Sequence, residues 1–350
     1  MQALSEYSLE ELQREFTALG FKAGHAAPVL RAHYAQRSES PLDGLVLPRA
    51  LAARLRGFPV GPGSRPAVRQ TADDGTVKLL IRLCDGRTVE SVLMPDYRDD
   101  RAAGCISSQV GCAMGCDFCA TTKTGFERNL TAGEIVEQFL ALRREALSGE
   151  RRLQTLVFMG MGEPMLNLDA VVSAIRRIGG GELGGLGWRQ ITVSTVGIVP
   201  GIDALADSGL KVHLAVSLHA PDDATRAALL PVGRRYGVGE ILAAADRYEA
   251  RTGRPVTLQY CLLRGVNDSP GHALRLAELV GGRRMHVNLL RYNPTGLSLR
   301  GVVFEPSPDD ASLAFLGVLR DGDVIAHFRR PRGREIDAAC GQLRRRNAAA

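Results

Sequence analysis

No stretch of this chain is apolar enough, for long enough, to act as a signal sequence or to span a bilayer, and its opening, MQALSEYSLEEL, is acidic. A cytoplasmic location and no membrane partner are therefore expected. Nor is there an excess of charge over apolar residues. Hydrophobic residues make up 45% and charged residues 23%, which excludes a disordered chain. No repeat of fixed period runs through the sequence, which excludes a solenoid. Cysteine is sparse and odd in number, 7 in 350 residues, which argues against a disulfide framework. A second C-x2-C pair, of the kind a structural zinc site uses, is missing as well.

What is present begins with positive charge. The net charge is +6, and arginines cluster at Arg151–Arg152, Arg234–Arg235, Arg283–Arg284, Arg329–Arg334 and Arg344–Arg346. Such a surface suits a phosphate-rich partner, because each neutralised phosphate releases counterions. A genome that uses arginine freely produces the same count.

Residues 1–57 read as helical. Ser8 and Glu11 form a capping box ahead of Leu9, Leu12, Phe16 and Leu19 at helical spacing, and further helical patterns cover 24–36 and 47–57. FPVGPGSRP (58–66) reads as a linker. TVKLLIRLC and TVESVLMP, joined by Asp85-Gly86-Arg87, read as a β-hairpin that either leads into a main domain or closes off a small one. Strand-like runs follow at 105–110, 154–160, 190–196, 211–218, 256–263, 286–291 and 323–329. Helical patterns lie between them at 132–148, 168–178, 200–208, 239–250, 271–281 and 309–320. This alternation implies an α/β fold with a parallel sheet, a partial barrel in preference to an open doubly wound sheet, with ligands at the carboxyl ends of the strands. The glycine-rich stretch 179–187 reads as a mobile surface loop. The organisation expected is a helical accessory unit at 1–60, linker and hairpin at 61–98, the barrel at 99–335, and a tail at 336–350.

The chemistry lies in GCISSQVGCAMGCDFCATTKTGFERNL. Cys112, Cys116 and Cys119 form C-x3-C-x2-C with Phe118 before the last cysteine. Three thiolates hold three irons of a cubane cluster and leave the fourth open. The amino and carboxylate groups of S-adenosylmethionine can chelate that iron, and an electron from the cluster then cleaves the sulfonium to give a 5′-deoxyadenosyl radical. Zinc is the competing occupant. GMGEP (160–164) follows the apolar run LVFM, so Gly162 and the Glu163 carboxylate fall at a strand end, placed to bind the cofactor's ammonium.

With these motifs in order, the chain resembles the RlmN/Cfr family of radical SAM RNA adenine methyltransferases. The resemblance rests on CISSQVGC, GFERNLT, VFMGMGEP, ITVSTVGIVP, LAVSLHAP, GVNDSP, the NP of YNP, and GREIDAACGQL, and runs nearly the whole chain. It implies a partial (β/α)6 radical SAM barrel with a small N-terminal helical RNA-binding domain. It implies one 4Fe-4S cluster and S-adenosyl-L-methionine, the latter held by Gly162, Glu163, Ser194, Ser217, Leu218, His219 and Asn293. It further implies that Cys340 carries a methyl group to an aromatic carbon of adenine, that Cys105 releases the product by forming a transient disulfide with Cys340, and that Glu90 takes the substrate proton. The expected substrate is 23S rRNA at adenosine C2, with tRNA a further candidate. The expected partner is an electron donor such as flavodoxin or ferredoxin, and the expected state is a monomer. C8 methylation, a non-catalytic iron–sulfur RNA-binding or redox-sensing protein, and a radical reaction on a small substrate are the alternatives. Cys84 and Cys261 read as packing residues, and Asn267 and Asp268 as a turn. DYRDDR after Glu90 is longer than the family pattern, YNPTGLSLRG is atypical after its NP, and DGDVIAHFRR is short. These loops are expected to face the RNA.

Overall fold

A computed structural model describes residues 3–35, 42–56, 64–181 and 183–343. Most of the expected linker, and Arg344–Arg346, lie outside the described residues.

Three helices come first: α1 (Leu9–Ala18), α2 (Ala26–Ala35) and α3 (Arg49–Arg56). The expected capping box is present, with Ser8 Oγ accepting from Glu11 N and Glu11 Oε2 accepting from Ser8 N at 2.6 Å. A meander follows, made of β1 (Arg65–Thr71), β2 (Val77–Arg82), β3 (Thr88–Pro95) and β4 (Arg101–Cys105), each antiparallel to the next. The β2–β3 turn works as the sequence suggests. Gly86, at φ 81, makes the corner, and Leu83 N donates to Arg87 O at 2.7 Å. The hairpin belongs to the main sheet through β4. β5 (Gln109–Gly111) and β6 (Phe126–Asn129) form a separate two-stranded ribbon that frames the cysteine loop.

The remaining elements alternate: α4 (Ala132–Ser148), β7 (Arg152–Phe158), α5 (Leu168–Gly179), β8 (Ile191–Thr195), α6 (Val199–Asp207), β9 (His213–Ser217), α7 (Asp223–Leu229), α8 (Val238–Thr252), β10 (Val256–Leu262), α9 (Pro270–Val280), β11 (Met285–Arg291), α10 (Asp309–Asp321) and β12 (Ala326–Phe328). The sheet has 10 strands, ordered β1-β2-β3-β4-β7-β8-β9-β10-β11-β12. From β4 onward all pairs are parallel, so each crossover carries helix, as parallel strands require. Six βα units therefore run from β4/α4 to β11/α10, the partial barrel expected.

Three expectations need correction. The first parallel strand is Arg101–Cys105, not 105–110. Ile106 to Ser108 leave the sheet to clasp the GMGEP loop, with Gly160 N donating to Ile106 O at 3.0 Å and Ser108 N to Met161 O at 2.9 Å. The end of the supposed linker is strand: β1 begins at Arg65, and because its residues are all exposed it shows no apolar alternation. The described residues of the 179–187 stretch are in part packed rather than loose. Leu186 is buried, and Gly184 lies so close to the end of α5 that a Cβ would stand 2.2 Å from Ile178 O.

The N-terminal helices share one core with the barrel. Leu12, Phe16 and Leu30 join Phe139 and Ile175 in a single buried cluster. Each such side chain contributes roughly 1.5–3 kcal/mol on burial. Polar ties reinforce the seam: Arg177 Nη1 donates to Ser5 O at 2.8 Å, and Glu6 accepts from Gly133 N at 3.1 Å.

Candidate active site

One cavity opens at the carboxyl ends of the parallel strands, with about 1500 Å3 of atom-free space including its mouth. Its wall collects Cys112, Cys116 and Cys119, together with Cys105, Cys340, Gly162, Glu163, Ser194, Ser217, His219 and Asn293. Two sequence candidates stand outside this lining. The Leu218 side chain is fully buried in the hydrophobic core, away from the cavity lining. Glu90 lies on the same face of β3 as Val92 and Met94, which do line the cavity, but level with the loop after β4. Ser107 Oγ donates to Glu90 O at 2.8 Å.

The cysteine loop is held at both ends. Cys112 N donates to Gly125 O at 2.9 Å, and Thr122 Oγ1 donates to Cys119 O at 2.9 Å. Burial pushes the Cys112 thiol up to about 12 and holds the Cys116 thiol well above the ordinary thiol range. Thiols in such a wall, two buried and Cys119 partly so, are ill suited to ionise alone and well suited to a cationic metal group. Among the described residues no three His, Cys, Asp or Glu side chains converge closely enough to hold a single metal ion. Three cysteines on one cavity wall match a cubane cluster with one open iron, whereas a structural zinc site takes four ligands. An acceptor points to a ligand too: Gln259 lines the cavity and its buried Oε1 has no hydrogen-bond partner among the described residues.

The GMGEP loop is shaped by close approach. A Cβ on Gly162, whose φ is 98, would meet Gln109 Cβ at 2.5 Å. Glu163 is committed to the scaffold: its carboxylate accepts from Met165 N at 3.1 Å and from Val196 N at 2.8 Å, and burial raises it to about 7 against those bonds. Asn293 is likewise engaged, accepting from Arg334 Nε at 2.8 Å.

Residues the sequence reading missed do much of the positioning. Arg226, fully buried, donates to Ser217 O at 3.0 Å, to Leu218 O at 2.6 Å and to Val196 O, bracing the ends of β8 and β9 from beneath. Gln138 Oε1 accepts from Ser107 N at 2.8 Å and from Ser91 Oγ at 2.9 Å. Asn267 does more than form a turn. Its Nδ2 donates to His219 O at 2.7 Å and to Cys261 O at 2.8 Å, and its Oδ1 accepts from Leu263 N at 2.7 Å.

His219 sits at φ 59, with its ring edge-on to Phe118 at 4.9 Å. Its Nδ1 accepts from Cys261 N at 2.9 Å, so the ring must be neutral, with its proton on Nε2. Burial lowers its pKa from 6.5 to about 3. Between those values the unfolded chain binds a proton that the folded chain refuses. The contribution is complete above pH 6.5 and is lost as pH falls towards 3. In His219→Asn, which tolerates the left-handed backbone, this loss should vanish. The wild-type stability curve, measured by denaturant titration of cluster-free protein, should fall away from the variant's by about 1.4 kcal/mol per pH unit. Parallel curves would show that His219 does not titrate this way.

The C-terminal segment completes the wall. Ala120 N donates to Gly341 O at 2.7 Å and Thr121 Oγ1 to Leu343 O at 2.6 Å, which hangs the segment on the 3-10 turn Ala120–Thr124 just after Cys119. Cys340 is exposed there, and all seven cysteines are unbridged, Cys105 and Cys340 included. Burial, and then the nearby Cys340 charge, push Cys105 up to about 12, while Arg329 pulls the other way. Cys261 packs among Leu263, Tyr292 and Phe304 as expected and also lines the cavity, whereas Cys84 is exposed just past the end of β2 and not the packing residue expected. The arginine clusters divide by role. Arg283 and Arg284 pair with Asp246 and Glu249, whereas Arg329, Arg330 and Arg332 rim the cavity. No helix among the described residues is long and apolar enough to cross a membrane.

Comparison with known proteins agrees with this geometry. Residues 106–277 match the radical SAM superfamily. A probable dual-specificity RNA methyltransferase RlmN of Opitutus terrae is 65% identical over 98% of this chain and 96% of its own. One from Rhodopirellula baltica is 43% identical over 98% and 90%. The crystal structure of a radical SAM methyltransferase from Sphaerobacter thermophilus superposes with a TM-score of 0.91 at 42% identity, covering 98% of this chain and 99% of that one. With a C-x3-C-x2-C loop, a strand-end cavity and relatives matched along nearly their whole length, the chain belongs to the RlmN/Cfr family of radical SAM RNA methyltransferases.

Proposed function

We propose that this enzyme methylates a ring carbon of adenine, C2 of an adenosine in 23S rRNA with tRNA as a second substrate, and that Cys340 carries the methyl group. The observation behind this reading is the docking of the Cys340 segment on the turn after Cys119, which brings a free thiol to the cavity that Cys105 also lines. The dual specificity in the relatives' names supports two RNA substrates.

Cys112, Cys116 and Cys119 would hold the 4Fe-4S cluster, and Gly162, Glu163, Ser194, Ser217, His219, Asn293 and the Leu218 backbone would surround S-adenosylmethionine. Bound there, these groups supply the methyl group and, with the cluster as electron source and sink, the radical chemistry that activates it. The residues do the rest. Cys340 Sγ accepts the methyl group, because the target ring carbon is not nucleophilic and cannot take it by simple displacement. Once the S–CH2 carbon is bonded to the base, Glu90 accepts the proton from the ring carbon. The Cys105 thiolate then attacks Cys340 Sγ. An S–S bond forms, the S–C bond breaks, and its electron pair, with a proton, completes the methyl group. A dithiol reductant reopens the disulfide. The N-terminal helices and the arginine rim would bind RNA, a flavodoxin- or ferredoxin-type protein would supply electrons, and the enzyme would work as a cytoplasmic monomer.

Nucleoside mass spectrometry on RNA from a strain lacking the gene tests the reading. Loss of 2-methyladenosine from 23S rRNA and tRNA is expected. Loss of 8-methyladenosine would move the target carbon, and unchanged RNA would overturn the assignment. Peptide mass spectrometry of enzyme supplied with S-adenosylmethionine should find S-methylated Cys340.

A further inference from the structure

β2, β3 and β4 set three residues in one row across the sheet: Lys78 pairs with Val92, and Val92 with Cys105. Directly paired residues share a face. Val92 and Cys105 line the cavity, so Lys78 projects from the cavity face. Its side chain is 8% exposed, and its Nζ lies 3.4 Å from Oε1 of Glu90, whose side chain is 4% exposed. The same Nζ donates to Asp337 O at 3.4 Å, in the segment that carries Cys340. A buried ammonium is costly to desolvate and is retained where an anion offsets it. In sequence, Lys78 is an unremarkable residue inside the apolar run TVKLLIRLC.

We propose that Lys78 is a positioning residue for the methylation: it holds Glu90 in place as an ionised carboxylate, ready to take the proton from the ring carbon of the RNA-bound adenine. The inference rests on the reading of Glu90 as the base. A carboxyl buried without a cation keeps its own proton and cannot accept another. The ammonium removes that obstacle, and the pairing fixes the side chain from β2. The backbone of Glu90 is fixed from the other side, because Ser107 Oγ donates to Glu90 O at 2.8 Å and accepts from Met161 N at 2.9 Å. When the proton moves from carbon to carboxylate, the C–H bonding pair stays with the ring. Lys78 exchanges no atom and acts through Glu90.

The test uses full-length enzyme carrying its cluster, an RNA substrate fragment and S-adenosylmethionine, in wild type, Lys78→Gln, Lys78→Arg, Glu90→Gln and the double variant Lys78→Gln/Glu90→Gln. Lys78→Gln keeps a donor for Asp337 O but removes the charge. It should methylate Cys340 as wild type does, accumulate the covalent protein–RNA intermediate, and release methylated RNA roughly 100-fold more slowly, the scale of a lost general base. Lys78→Arg should recover most of the rate. In the Glu90→Gln background, Lys78→Gln should change release less than about twofold, because the group it serves is gone. A merely structural lysine would slow the Glu90→Gln enzyme by the full factor, and that result, or wild-type release by Lys78→Gln, overturns the proposal. Wild-type release by Glu90→Gln would instead remove the premise that Glu90 is the base. Should Lys78→Gln not accumulate as folded protein, Lys78→Met is read in the same way.

Discussion

Gly111→Ala is expected to give protein with little bound iron and almost no methyltransferase activity, although residue 111 carries no side chain and does not line the cavity. Gly111 sits at φ 76, and a Cβ placed on it would stand 1.8 Å from Gly125 O and 2.9 Å from Gly125 C. That oxygen accepts from Cys112 N at 2.9 Å, the hydrogen bond that sets the first cluster cysteine. Backbone cannot give way as a flexible side chain can, so the β5–β6 ribbon must part and Cys112 must move. The left-handed conformation adds about 1–2 kcal/mol for alanine, and overpacking typically 1–3 kcal/mol more. Iron and sulfide analysis after anaerobic reconstitution is the readout, with less than half of the wild-type content expected. Gly239, in α8, is the control: nothing lies within 4 Å of a Cβ there, so Gly239→Ala should keep its iron and gain up to about 1 kcal/mol from helix propensity. Normal iron in Gly111→Ala would mean that the ribbon is not what places Cys112.

Cys105→Ala should leave the enzyme covalently attached to RNA. Without a thiol to attack Cys340 Sγ, the bond between the carrier sulfur and the new methyl carbon has no route to break. An RNase-sensitive band of higher mass should build up on denaturing gels, and turnover should fall by at least about 10³-fold, the order expected when a covalent nucleophile is lost. Cys340→Ala should give neither adduct nor product. The informative comparison is Cys261→Ala. Burial, then the Cys340 charge, raises the Cys261 thiol as it does that of Cys105. Normal turnover in Cys261→Ala and trapping in Cys105→Ala would assign release to Cys105. The reverse pattern would give it to Cys261.

Much of the barrel is legible because its signals are local. Thr131 and Glu134 cap α4 as their spacing suggests, and the apolar runs of β7, β10 and β11 are strands, β10 buried almost throughout and β11 at alternate residues. What fails is non-local. β1 is fully exposed, so it carries no alternation to read. Ile106 to Ser108 look like strand and are buried like strand, but after Ile106 N bonds to β7 their hydrogen bonds go to the GMGEP loop and to the Gln138 side chain. The site divides in the same way. The thiols announce themselves by spacing, whereas Arg226, Gln138 and Lys78 act through partners in other elements, Val196, Ser107 and Asp337 among them. Such a residue has no signature until the chain has folded and brought its partner within reach.

The two hydrogen bonds that fasten the C-terminal segment to the turn Ala120–Thr124 have a consequence for damage. Both donors lie within two residues of Cys119, so a displacement of that cysteine pulls directly on the segment that carries Cys340. On the reading proposed above, an enzyme whose cysteine loop has shifted would lose its methyl carrier together with its cluster site.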